Sequence, residues 1–180
     1  MMSNDRSPAE LESDFVAVAR AAAMVDPQPT ALTTLLHIGD EHLVVLSGRG
    51  DKPEIVRRLD LGAARVARDF FRHDLPTSRE IELAIDFVED EIMRLGNAEV
   101  ATTTLWSISA ALQAWASLSG RTMTIETVEQ WFQRLAAASL GQPGAMQGLP
   151  AGREAAATLL ILREFMHHLG HPAITVAGAV

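Results

Sequence analysis

The sequence predicts an α+β fold in which a small three-stranded antiparallel sheet, at about residues 32–38, 42–47 and 54–61, packs among about six helices. Three observations support this prediction. Short leucine-rich and β-branched segments flank a turn after residue 38, longer segments repeat their apolar residues at helical spacing, and Gly or Pro stands at most boundaries.

Length and composition indicate one folded domain. The chain has 180 residues, of which 48% are hydrophobic and 21% are charged. The absence of Cys excludes disulfides and a thiolate nucleophile. Ala is abundant, and the basic residues are 14 Arg and one Lys, which is typical of a GC-rich bacterial genome.

Charge and hydropathy also limit the partners. A formal net charge of −8 argues against a nucleic-acid binder. The longest apolar stretch is far shorter than the roughly 20 residues of a membrane span, and the first residues do not resemble a signal peptide. We therefore expect no nucleic-acid partner, no membrane association and a cytoplasmic location.

Residues 1–30 predict an N-terminal helix followed by a Pro-rich turn. Leu11, Phe15 and Val18 recur at helical spacing, and two prolines lie within residues 26–29. An α+β core is expected over residues 31–140. Its third strand, residues 54–61, fits a strand or a helix by periodicity, and Gly62 favours the strand.

The helices of the core have clear boundary signals. A capping box of Thr77 and Glu80 predicts a helix that continues to Leu95. Further helices are predicted at about 62–72, 100–118 and 125–140. The Gly- and Pro-rich residues 141–152 predict a mobile loop without regular structure, and residues 153–180 predict a C-terminal helix and an extended tail.

One glycine-rich turn is a candidate ligand-binding loop. Gly48 and Gly50 would let backbone N–H groups approach phosphate oxygens, while Arg49 and Lys52 would supply charge. The spacing lacks the third glycine of a dinucleotide fingerprint and differs from a Walker motif. A simple turn between two strands explains the same residues.

Two clusters have residues that could ligate a metal. His167 and His171 are four residues apart, and Glu82, Asp86 and Glu89 lie along one helix face. Neither cluster brings together three or four good ligands by spacing, and ordinary helix surfaces explain both. We therefore expect no metal and no cofactor.

Apolar residues outside the predicted core suggest an interface. Leu83 and Phe87 lie one turn apart on the polar side of their helix, and Trp106 lies off the apolar stripe of the predicted 100–118 helix. These residues predict a homo-oligomer and a possible protein partner.

None of these motifs identifies a family or a catalytic residue. The sequence favours a non-catalytic bacterial interaction or assembly protein that self-associates through helices. The alternative is a small-molecule or phosphate-binding enzyme, with the Gly48–Lys52 loop as anchor and residues 141–152 as lid. A pocket that joins these two loops would favour the enzyme.

Overall fold

The structure is a computed structural model that describes residues 5–25, 32–96 and 104–177, and its central feature is a mixed β-sheet. The described strands, in sheet order, are β3 (Lys52–Leu59), β2 (Leu43–Arg49), β1 (Leu32–Ile38), β4 (Thr104–Ser107), β6 (Ala173–Val176) and β5 (Thr122–Thr124). β1, β4 and β6 run parallel to one another, whereas the pairs β1–β2, β2–β3 and β5–β6 are antiparallel.

Helices cover both faces of this sheet. They are α1 (Pro8–Val25), α2 (Ala63–Phe70), α3 (Ser78–Met93), α4 (Ala110–Ser119), α5 (Ile125–Ser139) and α6 (Arg153–His168). On one face, α2 to α6 pack in a large apolar core that includes Leu36, Trp115 and Phe165. On the other face, α1 buries Phe15 against Leu35 and Trp106.

The central strands are buried on both faces because each face has its own helical layer. Six of the seven residues of β1 and six of the seven residues of β2 are buried. Alternate β1 residues enter different cores, with Leu35 facing α1 and Leu36 facing the other helices. The strands therefore carry leucine and valine on both faces.

The predicted α+β class with a three-stranded antiparallel sheet is wrong. The described chain has β1, β2 and β3 close to the predicted positions, but β4, β5 and β6 extend the sheet and make it mixed. β4 lies inside the segment predicted as a helix over 100–118, and the predicted C-terminal tail contains β6, which lies between β4 and β5. Local periodicity does not reveal strands of three or four residues.

The structure tests two of the local sequence predictions, the capping box at Thr77 and the irregular segment 141–152. The capping box is confirmed, because Thr77 accepts a hydrogen bond from the Glu80 N–H while Glu80 accepts one from the Thr77 N–H. The prediction that residues 141–152 lack regular structure is wrong, since Pro143–Met146 form a 3₁₀ helix. The Pro-rich turn at 26–29 lies outside the described residues.

None of the helices within the described ranges combines the length and apolar character of a membrane span.

Candidate functional site

Three parallel strands end at one edge of the sheet. The chain leaves β1 towards β2 on one side, whereas β4 lies on the other side of β1. In open α/β sheets, a ligand crevice forms outside the carboxyl ends of the strands at such a change of direction. The candidate site is therefore the edge that follows Ile38 of β1 and Ser107 of β4, which we call the carboxyl edge.

Two buried serines join the strands at the carboxyl edge. The Ile38 N–H donates to Ser109 Oγ at 2.7 Å, and Ser107 Oγ donates to Ser109 Oγ at 2.9 Å. Ser109 precedes α4, yet its side chain makes no capping hydrogen bond to that helix. Both residues are fully buried. Their hydroxyl groups connect β1 to β4 and are not presented to solvent as nucleophiles.

The β1–β2 turn (residues 39–42) is held in place by the start of α2. The Ala63 N–H donates to Gly39 O at 2.9 Å, and the Arg65 N–H donates to Asp40 O at 3.0 Å. The Gly39 N–H closes the turn on His42 O at 2.9 Å. These bonds fix the backbone conformation, so that the remaining N–H groups of the turn have a defined direction.

Two of those N–H groups point to one carboxylate oxygen. Asp5 Oδ1 lies 3.3 Å from the Glu41 nitrogen and 3.4 Å from the His42 nitrogen, and it accepts a hydrogen bond from each N–H. Gly39 makes room for it, because a Cβ on residue 39 would come within 2.3 Å of the same oxygen. Successive backbone N–H groups that converge in this way form an anion-binding concavity.

Basic side chains surround this carboxylate. A small cavity of about 60 Å³ beside the turn is lined by Asp5, Arg6, His37, His42, Val44 and Arg58. Arg58 Nη2 donates to His42 Nε2 at 2.7 Å, and since a guanidinium only donates, the imidazole proton is on Nδ1. That Nδ1 is 3.8 Å from Asp5 Oδ1. Two guanidinium groups, those of Arg6 and Arg58, therefore line this cavity in a chain whose formal net charge is −8.

Acidic residues beside the turn are paired with cations. Arg68 donates to both carboxylate oxygens of Glu41, at 2.6 and 3.2 Å. This hydrogen bonding lowers the pKa of Glu41, so that its carboxylate remains ionised. Asp60 Oδ2 lies 4.0 Å from Arg65 Nη1. The two turn N–H groups and the nearby Arg58 suit an anion such as a phosphate group, which needs several donors and positive charge at once.

A comparison with known families decides the identity. The profile of the Ppx/GppA phosphatase family matches residues 38–180, which is most of the chain and includes the β1–β2 turn and β4, while Asp5, Arg6 and His37 precede the matched residues. The chain belongs to the Ppx/GppA phosphatase family. No curated protein matches the sequence.

Solved structures of Ppx/GppA proteins share the fold. An Aquifex aeolicus Ppx/GppA phosphatase (type II variant) is 17% identical with a TM-score of 0.71, covering 91% of this chain and 57% of its own. An exopolyphosphatase-like protein is 14% identical with a TM-score of 0.70, covering 95% and 63%. A Cytophaga hutchinsonii exopolyphosphatase is 14% identical with a TM-score of 0.64, covering 92% and 58%.

These likenesses identify the architecture as an actin-like α/β fold, and the chain spans less than two thirds of each solved relative. The sequence predicted a non-catalytic homodimer that acts through protein–protein contacts. Membership of the Ppx/GppA phosphatase family overturns that prediction. The alternative, an enzyme that binds a phosphate ligand, fits the family better.

The loop predicted to anchor that ligand lies at the other edge of the sheet. Arg49 pairs with Leu32 at the amino end of β1, so the turn between Gly48 and Lys52 is remote from the carboxyl edge. Gly50 has φ of +65°, and a Cβ on Gly48 would come within 2.2 Å of Lys52 O. Turn geometry and close backbone approach account for both glycines.

The predicted lid does not meet that loop either. Arg134 donates to Ala145 O at 2.7 Å and to Gln147 O at 2.6 Å, which ties residues 141–152 to α5. This segment lines a largely apolar cavity of about 240 Å³, together with residues such as Leu75 and Leu135 and with none from 48–52. The residues that line this cavity therefore do not form the expected pocket between the two loops.

The predicted interface residues have partners within the fold. Trp106 belongs to β4 and is 8% exposed under α1, so its placement on a helix surface is wrong. The ring of Phe87 lies 5.0 Å from that of Phe70, and the Arg65 guanidinium lies 6.0 Å from the Phe87 ring. Leu83 remains 42% exposed. A contact with another protein chain stays a prediction.

The two sets of residues considered as possible metal ligands do not come together in the fold. His171 is buried and stacks on Phe165, with ring centroids 5.7 Å apart, whereas His167 is exposed. On α3, Glu82 and Asp86 are exposed, and Glu89 lies 3.6 Å from His168. Across 5–25, 32–96 and 104–177, no three His, Asp or Glu residues form a metal-ligand group.

Sequence reasoning missed the residues at the carboxyl edge. His37 and His42 flank the β1–β2 turn in the sequence, and Arg58 faces His42 from the next strand. The signal that could have found them is a basic cluster around a hairpin turn. Asp5 had no such signal, because it reaches the turn from 36 residues away in the chain.

Proposed function

We propose that this Ppx/GppA family member binds the phosphate group of a phosphate ester or anhydride at its carboxyl edge, as part of a phosphatase site. The observation that carries the proposal is the β1–β2 turn, where the N–H groups of Glu41 and His42 converge on one anionic oxygen. The family match supports phosphate hydrolysis as the reaction class. Arg58, which lines the cavity beside the turn, supports a preference for anionic ligands.

The proposed role of the turn follows from the chemistry of phosphate hydrolysis. A water oxygen forms a bond to phosphorus while the bond to the leaving oxygen breaks, and negative charge is distributed over the phosphoryl and leaving oxygens. Backbone N–H groups held in a fixed direction, together with the Arg58 guanidinium, would stabilise that charge without reorganising. Glu41 already faces Arg68, so the proposal gives it a positioning role and assigns no general base.

The similar solved structures suggest the first substrates to test. Two of them are called an exopolyphosphatase and an exopolyphosphatase-like protein, so pyrophosphate and inorganic polyphosphate are the first probes. The complete phosphatase activity belongs to the proposal, because the chain spans 57–63% of the length of these structures. The proposal also keeps the predicted cytoplasmic location, which cell fractionation would test.

Arg58 and its neighbour Arg57 provide a matched experiment. Successive strand residues point to opposite faces, and only Arg58 lines the basic cavity beside the turn. Arg58→Gln should weaken pyrophosphate binding about tenfold or more, because a charged hydrogen-bond donor is lost. Arg57→Gln makes the same chemical change and should leave binding unchanged. Isothermal titration calorimetry measures both.

Hydrolysis is measured in parallel as release of inorganic phosphate from polyphosphate. The proposal expects Arg58→Gln to reduce that release and Arg57→Gln to preserve it. It fails if the unaltered chain does not bind pyrophosphate at millimolar concentration. It also fails if the two variants lose affinity equally, since that would place the binding site away from the carboxyl edge.

A further inference from the structure

We infer that Asp5 is a tethered competitor of phosphate, so that the N-terminal segment closes the carboxyl edge until a stronger anion displaces it. This inference rests on the proposed function and adds a means of regulating the same site. Its structural basis is that the chain places its own carboxylate on the Glu41 and His42 N–H groups.

The contacts of Asp5 are those that a bound phosphate oxygen would make. Oδ1 accepts from both turn N–H groups and lies 3.8 Å from His42 Nδ1. It also fills the space left by the missing side chain of Gly39, where a Cβ would come within 2.3 Å. An anion cannot use these donors while the Asp5 carboxylate occupies them.

The two hydrogen bonds that Asp5 accepts from the turn are long. The two nitrogen–oxygen distances, 3.3 and 3.4 Å, exceed the usual value of about 2.9–3.0 Å. Phosphate has more oxygens and a larger charge than a carboxylate, so it gains more from Arg58 and His42. A tethered group competes at an effective concentration on the order of millimolar. Weak monovalent anions are therefore excluded, and a polyvalent phosphate is admitted.

The segment that carries Asp5 is anchored separately from it. Ser7 and Glu10 form a capping box, in which the Ser7 N–H donates to Glu10 Oε2 at 2.8 Å and the Glu10 N–H donates to Ser7 Oγ at 3.4 Å. Arg6 pairs with Asp14 at 2.7 Å. Leu11 and the residues that follow bury α1 on the sheet. Asp5 precedes this anchored helix, so its carboxylate can leave the turn while α1 stays docked.

The test compares Asp5→Asn with Asp51→Asn in the full chain. Both variants replace one carboxylate by an amide, but Asp51 is an exposed residue of the turn between β2 and β3. Asp5→Asn should bind pyrophosphate about three- to tenfold more tightly than the unaltered protein, because the open fraction of sites rises. Asp51→Asn should bind with unchanged affinity. Isothermal titration calorimetry gives the affinities, and Asp5→Ala is the second variant.

Amide NMR shows whether Asp5→Asn and pyrophosphate act at the β1–β2 turn. The Glu41 and His42 amide resonances should shift in Asp5→Asn without ligand, and pyrophosphate should move them at lower concentration than in the unaltered protein. Equal affinities for all variants overturn the inference and leave the proposed function standing. Weaker binding by Asp5→Asn also overturns it, by making Asp5 a ligand-supporting residue. No binding by any variant overturns the proposed function and the inference together.

Discussion

Gly62 lies directly against the carbonyl group of Asp40, since a Cβ on residue 62 would come within 2.2 Å of that oxygen. The backbone of Gly62 has φ −131° and ψ 161°, a conformation that any residue can adopt. Glycine is therefore required at this position only because a side chain would not fit. This close approach lets Ala63 and Arg65 donate to the turn. The start of α2 thereby holds the β1–β2 turn in position.

Gly62→Ala should therefore damage both stability and binding. The blocking atoms belong to the backbone of residues 40 and 41 and cannot rotate away. We expect the free energy of unfolding to fall by about 1–3 kcal/mol. Pyrophosphate affinity should fall as well, because the turn must shift. Urea denaturation and isothermal titration calorimetry measure the two effects.

Gly144→Ala is the matched control for Gly62→Ala. A Cβ at residue 144 has no atom within 4 Å, and we expect stability within about 0.5 kcal/mol of the unaltered protein. Equal losses in the two variants would show that close packing of Gly62 on Asp40 is not the cause.

Local signals account for what the sequence predicted well. The capping box of Thr77 and Glu80 involves residues three apart, and β1, β2 and β3 follow one another through short turns. Such features depend on neighbouring residues, so that propensity and spacing are sufficient to find them.

Long-range pairing accounts for what the sequence did not predict. β4 has four residues and pairs with β1 in register Thr33 to Thr104, about seventy residues along the chain. Its short apolar segment, which contains Trp106, fits a helix equally well until that partner is known. The carboxyl edge exists only once β1 and β4 are adjacent. For this reason the sequence led to the glycine-rich turn at the opposite edge.

Glu80 should make stability depend on pH below neutrality. Burial alone would raise its pKa, but hydrogen bonds from the Thr77 and Arg72 N–H groups, and from His73, hold the pKa at about 2 instead of 4.5. A lowered pKa in the folded state means that the stabilisation is complete above pH 4.5 and is lost as pH falls towards 2. Glu80→Gln should cost about 1–2 kcal/mol near neutrality.

The measurement is urea denaturation of the unaltered protein and Glu80→Gln between pH 7 and the acid limit. The difference in free energy of unfolding should be constant at higher pH and shrink below pH 4.5. Glu82→Gln alters an exposed carboxylate of the same helix, whose partner Arg79 is also exposed, and should show no such trend. A pH-independent difference for Glu80→Gln would contradict the assigned role of its charge.

Phe15 should carry much of the attachment of α1. Its side chain is fully buried, and its cluster includes Leu35 and Trp106 of the sheet. Phe15→Ala should lower stability by about 3–5 kcal/mol or release α1 locally. Hydrogen exchange of α1 amides distinguishes these effects. Met24→Ala changes a residue that is 87% exposed on the same helix, and faster exchange in that control would argue against a specific anchor.

Arg163 and Glu164 should act as one unit where α5 packs against α6. Glu164 is 2% exposed and accepts a short hydrogen bond from Arg163, which also donates to Glu129 at 3.0 Å and lies 4.7 Å from the Phe132 ring. Burial works to lower the pKa of Arg163, but the charges of Glu164 and Glu129 outweigh it and raise that pKa, so the guanidinium stays charged.

Arg163→Met should destabilise the protein by about 3–5 kcal/mol, because it leaves the buried carboxylate of Glu164 without its main cation. Arg163→Lys keeps the charge but loses the planar fork and the stacking on Phe132, so we expect an intermediate loss. The double variant Arg163→Met with Glu164→Gln should recover part of the stability, since the uncompensated charge is gone. Arg79→Met, in an exposed pair, should change stability by less than about 1 kcal/mol. Urea denaturation measures these four variants and Glu164→Gln alone, and additive losses in the double variant would show that Arg163 and Glu164 act independently.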